Sequence, residues 1–119
     1  MLPEARDAAH LWDMIEAARR IQKYTDGLTL DRYLKDDMVQ SAVERRLEIL
    51  GEAARRVSDP FKQSHQEIPW QKIIAQRNVL AHEYGDIVPM LVWKTVVTHI
   101  PILIAQLEPL IPPVPPVTP

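Results

Sequence analysis

The chain has 119 residues, a formal net charge of −2 and no cysteine. That length suffices for one domain with its own core, and the missing thiols exclude disulfides and thiolate-bound metals. A protein that tracks long nucleic acid carries a basic surplus, so any nucleic-acid contact here is expected to be local, transient or built by assembly. One phenylalanine, three tyrosines and three tryptophans also leave little for a base-stacking platform.

The N-terminus carries charges at Glu4, Arg6 and Asp7 where a signal peptide needs an apolar run. The stretch 88–107 comes closest to a membrane span but is interrupted by Lys94, His99 and Gln106. The expectation is a soluble, cytoplasmic protein without a membrane partner.

Three glycines and repeated apolar spacings of three and four predict an all-α fold, an up-and-down bundle of four to five main helices. The first helix is expected from Pro3 to Tyr24, burying Ala8, Leu11, Met14, Ile15, Ala18 and Ile21. Thr25-Asp26-Gly27 ends it, and residues 28–35 form a connector with room for one helical turn.

The second long helix starts at Asp36 or Asp37, whose carboxylates suit a helix N-terminus. Its inner face is Val39, Ala42, Val43, Leu47, Leu50, Ala53, Ala54 and Val57. Glu44, Arg45, Glu48, Glu52, Arg55 and Arg56 make an outer face, which reads most simply as solvated. Glu52 and Arg56 stand in the favourable i, i+4 order, a pair stabilising by about 0.3 kcal/mol.

Ser58-Asp59-Pro60 signals a short helix to His65, with Asp59 as cap and Pro60 in the first helical position. Pro69 opens the next helix, and Gly85 breaks it. Asp86 is expected to cap a last helix from Ile87, in which Pro101 makes a kink or a division. Residues 1–108 thus form the bundle. Residues 109–119, with six prolines, form an extended tail that reads as a spacer or frayed end.

The helix after Pro69 carries the chemically richest segment, Arg77-Asn78-Val79-Leu80-Ala81-His82-Glu83-Tyr84. At about 100° per residue, Trp70, Ile73, Ile74, Leu80, Ala81 and Tyr84 fall within about 60° of Arg77. The guanidinium therefore sits in an apolar stripe, where its charge must be paired or meet an anion. His82 lies about 140° away, on the face of Asn78, so one straight helix does not aim both at one phosphate. Either the helix unwinds near Gly85, or a second copy supplies the missing half of the site across a two-fold axis.

Such a set suits metal-free cleavage of RNA. An imidazole with a reference pKa of about 6.5 can take the proton of a ribose 2′-hydroxyl or give one to the leaving oxygen. An arginine can hold the non-bridging phosphate oxygens, and Asn78 can orient imidazole or substrate. The plain alternative is that an arginine and a histidine near a helix end only complement its dipole. His10, His65 and His99 lack partners at ligand spacing and read as structural or solvated, so no metal site is expected.

The pattern Arg-x4-His-x-Tyr over Arg77–Tyr84 resembles the signature of the HEPN superfamily, in particular its HepT-like toxins. Residues 46–54, with Leu47, Leu50, Gly51 and Glu52, resemble that family's central helix. Ile68-Pro69-Trp70 with Ile73-Ile74 resembles its motif helix, and Val92-Trp93 with Pro101 its last one. The resemblance covers residues 37–110. It implies a bundle that dimerises through the motif-helix region, with ribonuclease activity built from both copies and no cofactor.

Arg77 and His82 carry over as catalytic residues, with Asn78 supporting and a 2′,3′-cyclic phosphate as product. The resemblance further implies an MntA-type minimal nucleotidyltransferase antitoxin that places AMP on Tyr84. Phosphates there occupy the anion site beside Arg77 and repel RNA, with tRNA or mRNA as the substrate class. The alternative is a catalytically weak interaction or nucleotide-binding partner of a nucleotidyltransferase with the same fold.

Overall fold

A computed structural model describes residues 4–82, 85 and 87–112, and among these every regular element is helical. α1 spans Ala5–Thr25, α2 Leu30–Leu34, α3 Asp37–Arg56, α4 Asp59–Ser64 and α5 Trp70–His82. α6 (Pro89–Lys94), a π-helical turn (Thr95–His99), α7 (Ile100–Leu107) and a 3-10 turn (Glu108–Leu110) follow one another without a break. The expected tail from residue 109 therefore begins as a helical turn, with Leu110 and Ile111 packed against the core. Residues 113–119, Pro3, Tyr84 and Asp86 lie outside the described residues.

Local chemistry sets most boundaries. α1 stops where Gly27 takes a φ of 76°, a conformation cheap only for glycine. The expected one-turn connector is α2, capped by Thr29 accepting the Arg32 N–H at 3.2 Å. Asp36 caps α3 by accepting the Val39 N–H at 3.1 Å, a bond of the kind that stabilises by about 1 kcal/mol.

Two caps differ from expectation. Ser58, not Asp59, caps α4, because its hydroxyl oxygen reaches the Phe61 N–H at 3.4 Å; Asp59 and Pro60 are already helical. The last helix starts at Pro89, later than Ile87, behind Val88, which has no side chain to cap with.

Pro101 does not divide the last helix, which continues from Pro89 to Leu110 through a π turn. A proline lacks an N–H and its ring presses on the carbonyl four residues back. The turn before it widens to π geometry, and the Ile100 N–H bonds the Thr95 carbonyl, five residues back. Pro89–Leu110 is long and apolar enough by length and composition to cross a membrane. Its Val92, Val96, Ile100, Leu103 and Leu107 are buried in the bundle.

α3 is the middle of the molecule, with α1 packed along one side and α5 across another. Leu11, Met14, Ile15, Ala18 and Ile21 of α1 are buried together with Val43, Leu47, Leu50 and Ala54 of α3. Each large aliphatic side chain so buried stabilises the fold by about 1.5–3 kcal/mol. Asp7 joins them, a buried carboxylate that accepts the Ser58 N–H at 2.9 Å and the Ser58 hydroxyl at 2.6 Å. It ties the start of α1 to the α3–α4 junction.

Candidate active site

The site is built where α5 crosses α3. A Cβ at Gly51 would fall on the Cβ of Arg77, 2.8 Å from its Cγ and 3.1 Å from the Ile73 carbonyl oxygen. Only a glycine lets the two backbones approach this closely. The stem of Arg77 is thereby pressed onto α3, and its guanidinium is led along that helix rather than outward.

There it meets the charges of α3. Arg77 Nη2 lies 3.2 Å from Glu52 Oε2, and Arg77 Nη1 donates to Asn78 Oδ1 at 3.2 Å. Glu52 also accepts from Arg55 Nη2 at 2.7 Å and Arg56 Nε at 3.0 Å. Hydrogen bonds from Arg55 first, then Arg56, with the charge of Arg77 added, hold its carboxyl at about 2. The expected Glu52–Arg56 pair is present, but the face is not simply solvated: the Glu52 side chain is only 28 % exposed.

The burial of Arg77 foreseen from the helix wheel is present, with its side chain 23 % exposed and Nε buried without a partner. Its charge is met inside the chain by Glu52, so burial alone does not call for a second copy. His82 ends the described part of α5 and is exposed. It stands five positions beyond Arg77, about 7.5 Å along the axis.

Arg77 opens into a cleft of about 330 Å³ between α1, α3 and α5. α5 contributes Arg77 to it and not His82; α3 contributes Arg45, Glu48, Glu52 and Arg56. α1 contributes His10 and Asp13, so the imidazole that shares a cavity with Arg77 is His10. Spacing along the sequence gave no sign of this, because His10 and Arg77 meet only through the crossing of three helices. A second cavity, of about 410 Å³, lies between α5 and the last helix; Leu47, Leu50, Ile73 and Leu103 line it, and it holds no motif residue.

Among the described residues no group of three or more His, Asp or Glu side chains is arranged so that it could hold a metal ion. The cleft's chemistry rests on three guanidiniums, three carboxylates and one imidazole. Fold and site together define an all-helical protein with a preset guanidinium at the mouth of a charged cleft.

Relatives give that class a name. Residues 14–110 match the profile of the family described as ribonuclease HepT-like. The "Probable ribonuclease HepT" of Thermococcus cleftensis is 38% identical over 99 residues, covering 83% of this chain and 90% of that protein. A Methanocaldococcus jannaschii protein provisionally named an RNase is 32% identical over 100 residues, covering 84% and 92%. Another provisionally named RNase, from Caldanaerobacter subterraneus subsp. tengcongensis, is 33% identical over 82 residues, covering 69% and 73%. No solved structure matches significantly. The chain belongs to the HepT-like ribonuclease family.

Proposed function

We propose that this HepT-like ribonuclease is a toxin that cuts RNA by metal-independent transesterification, using Arg77 and His82 with Asn78 in support. The observation that carries the reading is Arg77 itself: a cation fixed against Gly51 and open to a cleft of ribose-phosphate size. Two hydrogens on its terminal nitrogens remain after those given to Glu52 and Asn78, enough to grip an anion. The 2′-oxygen attacks phosphorus, the 5′-oxygen leaves, and a 2′,3′-cyclic phosphate remains. His82 moves the proton at one of these two oxygens, while Arg77 stabilises the charge on the non-bridging ones.

Because His82 does not line the cleft of its own Arg77, the reading includes a homodimer in which the two motif helices face each other. Cleavage of bulk tRNA in EDTA by the purified chain, beside Arg77→Ala and His82→Ala, tests the chemistry. Equal cleavage by all three rules out the site. Light scattering tests the assembly, since a monomer that still cuts RNA removes the need for a second copy.

The same reading makes Tyr84 a switch controlled by an MntA-type minimal nucleotidyltransferase. The phenol oxygen attacks the α-phosphorus of ATP, pyrophosphate leaves, and the AMP adds bulk and negative charge near Arg77. Mass spectrometry after incubation with such an enzyme and ATP is expected to find the added AMP on the peptide containing Tyr84. Modification confined to Tyr24 or Tyr33 removes this part of the proposal.

A further inference from the structure

Glu52 is placed for more than surface pairing. Among the described residues, its carboxylate is the one that meets three guanidiniums, from Arg55, Arg56 and Arg77. Two of these come from its own helix; the third arrives from α5, at the point where Gly51 has removed the obstruction. Gly51 and Glu52 therefore act on Arg77 as neighbours, the first admitting its stem and the second fixing its head.

Every part of Arg77 is held before any substrate arrives. Its Cβ and Cγ rest on α3, its Nε is buried, Nη2 is paired with Glu52 and Nη1 with Asn78. The cleft as a whole is balanced, Arg45, Arg56 and Arg77 standing against Asp13, Glu48 and Glu52, so what Glu52 gives Arg77 is a fixed position rather than a local excess of charge. A cation already aligned in this way needs no reorganisation when charge develops on phosphorus. If Glu52 were only a surface pair, its removal would leave Arg77 where it is and only strengthen the attraction for RNA.

We propose that Glu52 is a positioning residue: it acts through Arg77, fixing the guanidinium at the mouth of the α1–α3–α5 cleft in the orientation that a phosphate requires. The purpose assigned to Arg77 rests on the ribonuclease reading above, whereas its immobilisation by Glu52 does not. The two are therefore measured separately.

The first measurement compares bulk tRNA cleavage by the wild type, Glu52→Ala, Glu52→Asp and Glu52→Gln. Glu52→Ala is expected to lower kcat about a hundredfold, the scale of a misplaced catalytic group, with KM unchanged or lower because a negative charge has gone. Glu52→Asp and Glu52→Gln, which keep an acceptor oxygen, recover part of kcat. A Glu52→Ala protein with kcat within about twofold of the wild type overturns the proposal.

The second measurement needs no activity. The Arg77 Nε–H resonance, identified by its loss in Arg77→Lys, is expected to exchange slowly with water in the wild type and rapidly in Glu52→Ala. An unchanged resonance in a folded Glu52→Ala protein overturns the proposal as well. If the resonance responds as expected but the wild type leaves tRNA intact, the positioning by Glu52 stands and the ribonuclease reading fails.

Discussion

Arg77 stands with its Cβ on the spot that any side chain at Gly51 would have to occupy. The crossing of α3 and α5 and the placement of the cation are thus one structural decision. Gly51→Ala is expected to push the two helices apart and to destabilise the protein by about 1–3 kcal/mol, the usual cost of overpacking. A urea titration reads this as a lower midpoint with an unchanged slope. A midpoint equal to that of the wild type would mean that the crossing relaxes freely and that Gly51 does not set it.

Replacing Arg77 separates charge from shape. Arg77→Ala leaves Glu52 with Arg55 and Arg56 but removes a largely buried stem from α3, so a loss of about 1–3 kcal/mol is expected. Cleavage is expected to fall by about 10²–10³, as when a donor to a developing oxyanion is lost. Arg77→Lys keeps the charge but not the planar fork, and is expected to remain at least about tenfold below the wild type. Full activity in Arg77→Lys would reduce the role of Arg77 to a point charge.

Glu52 also gives the protein an acid limb. Its carboxyl, held at about 2 by Arg55, Arg56 and Arg77, lies below the ordinary glutamate value of about 4.3. A group with a depressed folded value contributes stability that is complete above the unfolded value and lost as pH falls through the folded one. Between about pH 4 and pH 2 the wild type is expected to lose stability faster than Glu52→Gln. Parallel melting temperatures for the two proteins across that window would count against the coupling.

Asp7 supplies a check on the fold that does not touch the site. It accepts two hydrogen bonds from Ser58, one of them from the backbone N–H that opens α4. Asp7→Ala removes the partner of both and is expected to cost about 1–3 kcal/mol. Cleavage per folded molecule should not change, which a denaturation curve and an activity assay on the same sample determine together.

Much of the architecture was legible because the chain is punctuated where its helices begin. Asp36 and Pro69 mark helix starts and Gly27 the end of α1, each with one cheap conformational use there, and the apolar spacing of α1 and α3 gave their buried faces directly. The wheel also put Arg77 in the apolar stripe of α5, and the structure keeps it there.

Partners distant in sequence were not legible. Intrahelical spacing reveals Arg56 as the neighbour of Glu52 but not Arg77, 25 positions on, and it gives no reason for His10 to share a cleft with either. Asp7 looked like a terminal charge because its partner, Ser58, lies 51 residues away. Pro101 read as a kink or a division, since local rules describe the cost of a proline but not a helix that widens to admit it.

That widening changes how the last helix can be edited. Val92, Val96, Ile100 and Ile104 recur every four residues, a spacing that would drift around a regular α-helix by about 40° per step. The π turn absorbs part of that drift and keeps the row aimed at the bundle. In length, the turn is a regular helix carrying one surplus residue. Removing a residue within 95–99, together with Pro101→Ala, should return the segment to plain α-helix with its ends still facing inward, which makes this wide turn a site where the helix can be shortened without being rotated.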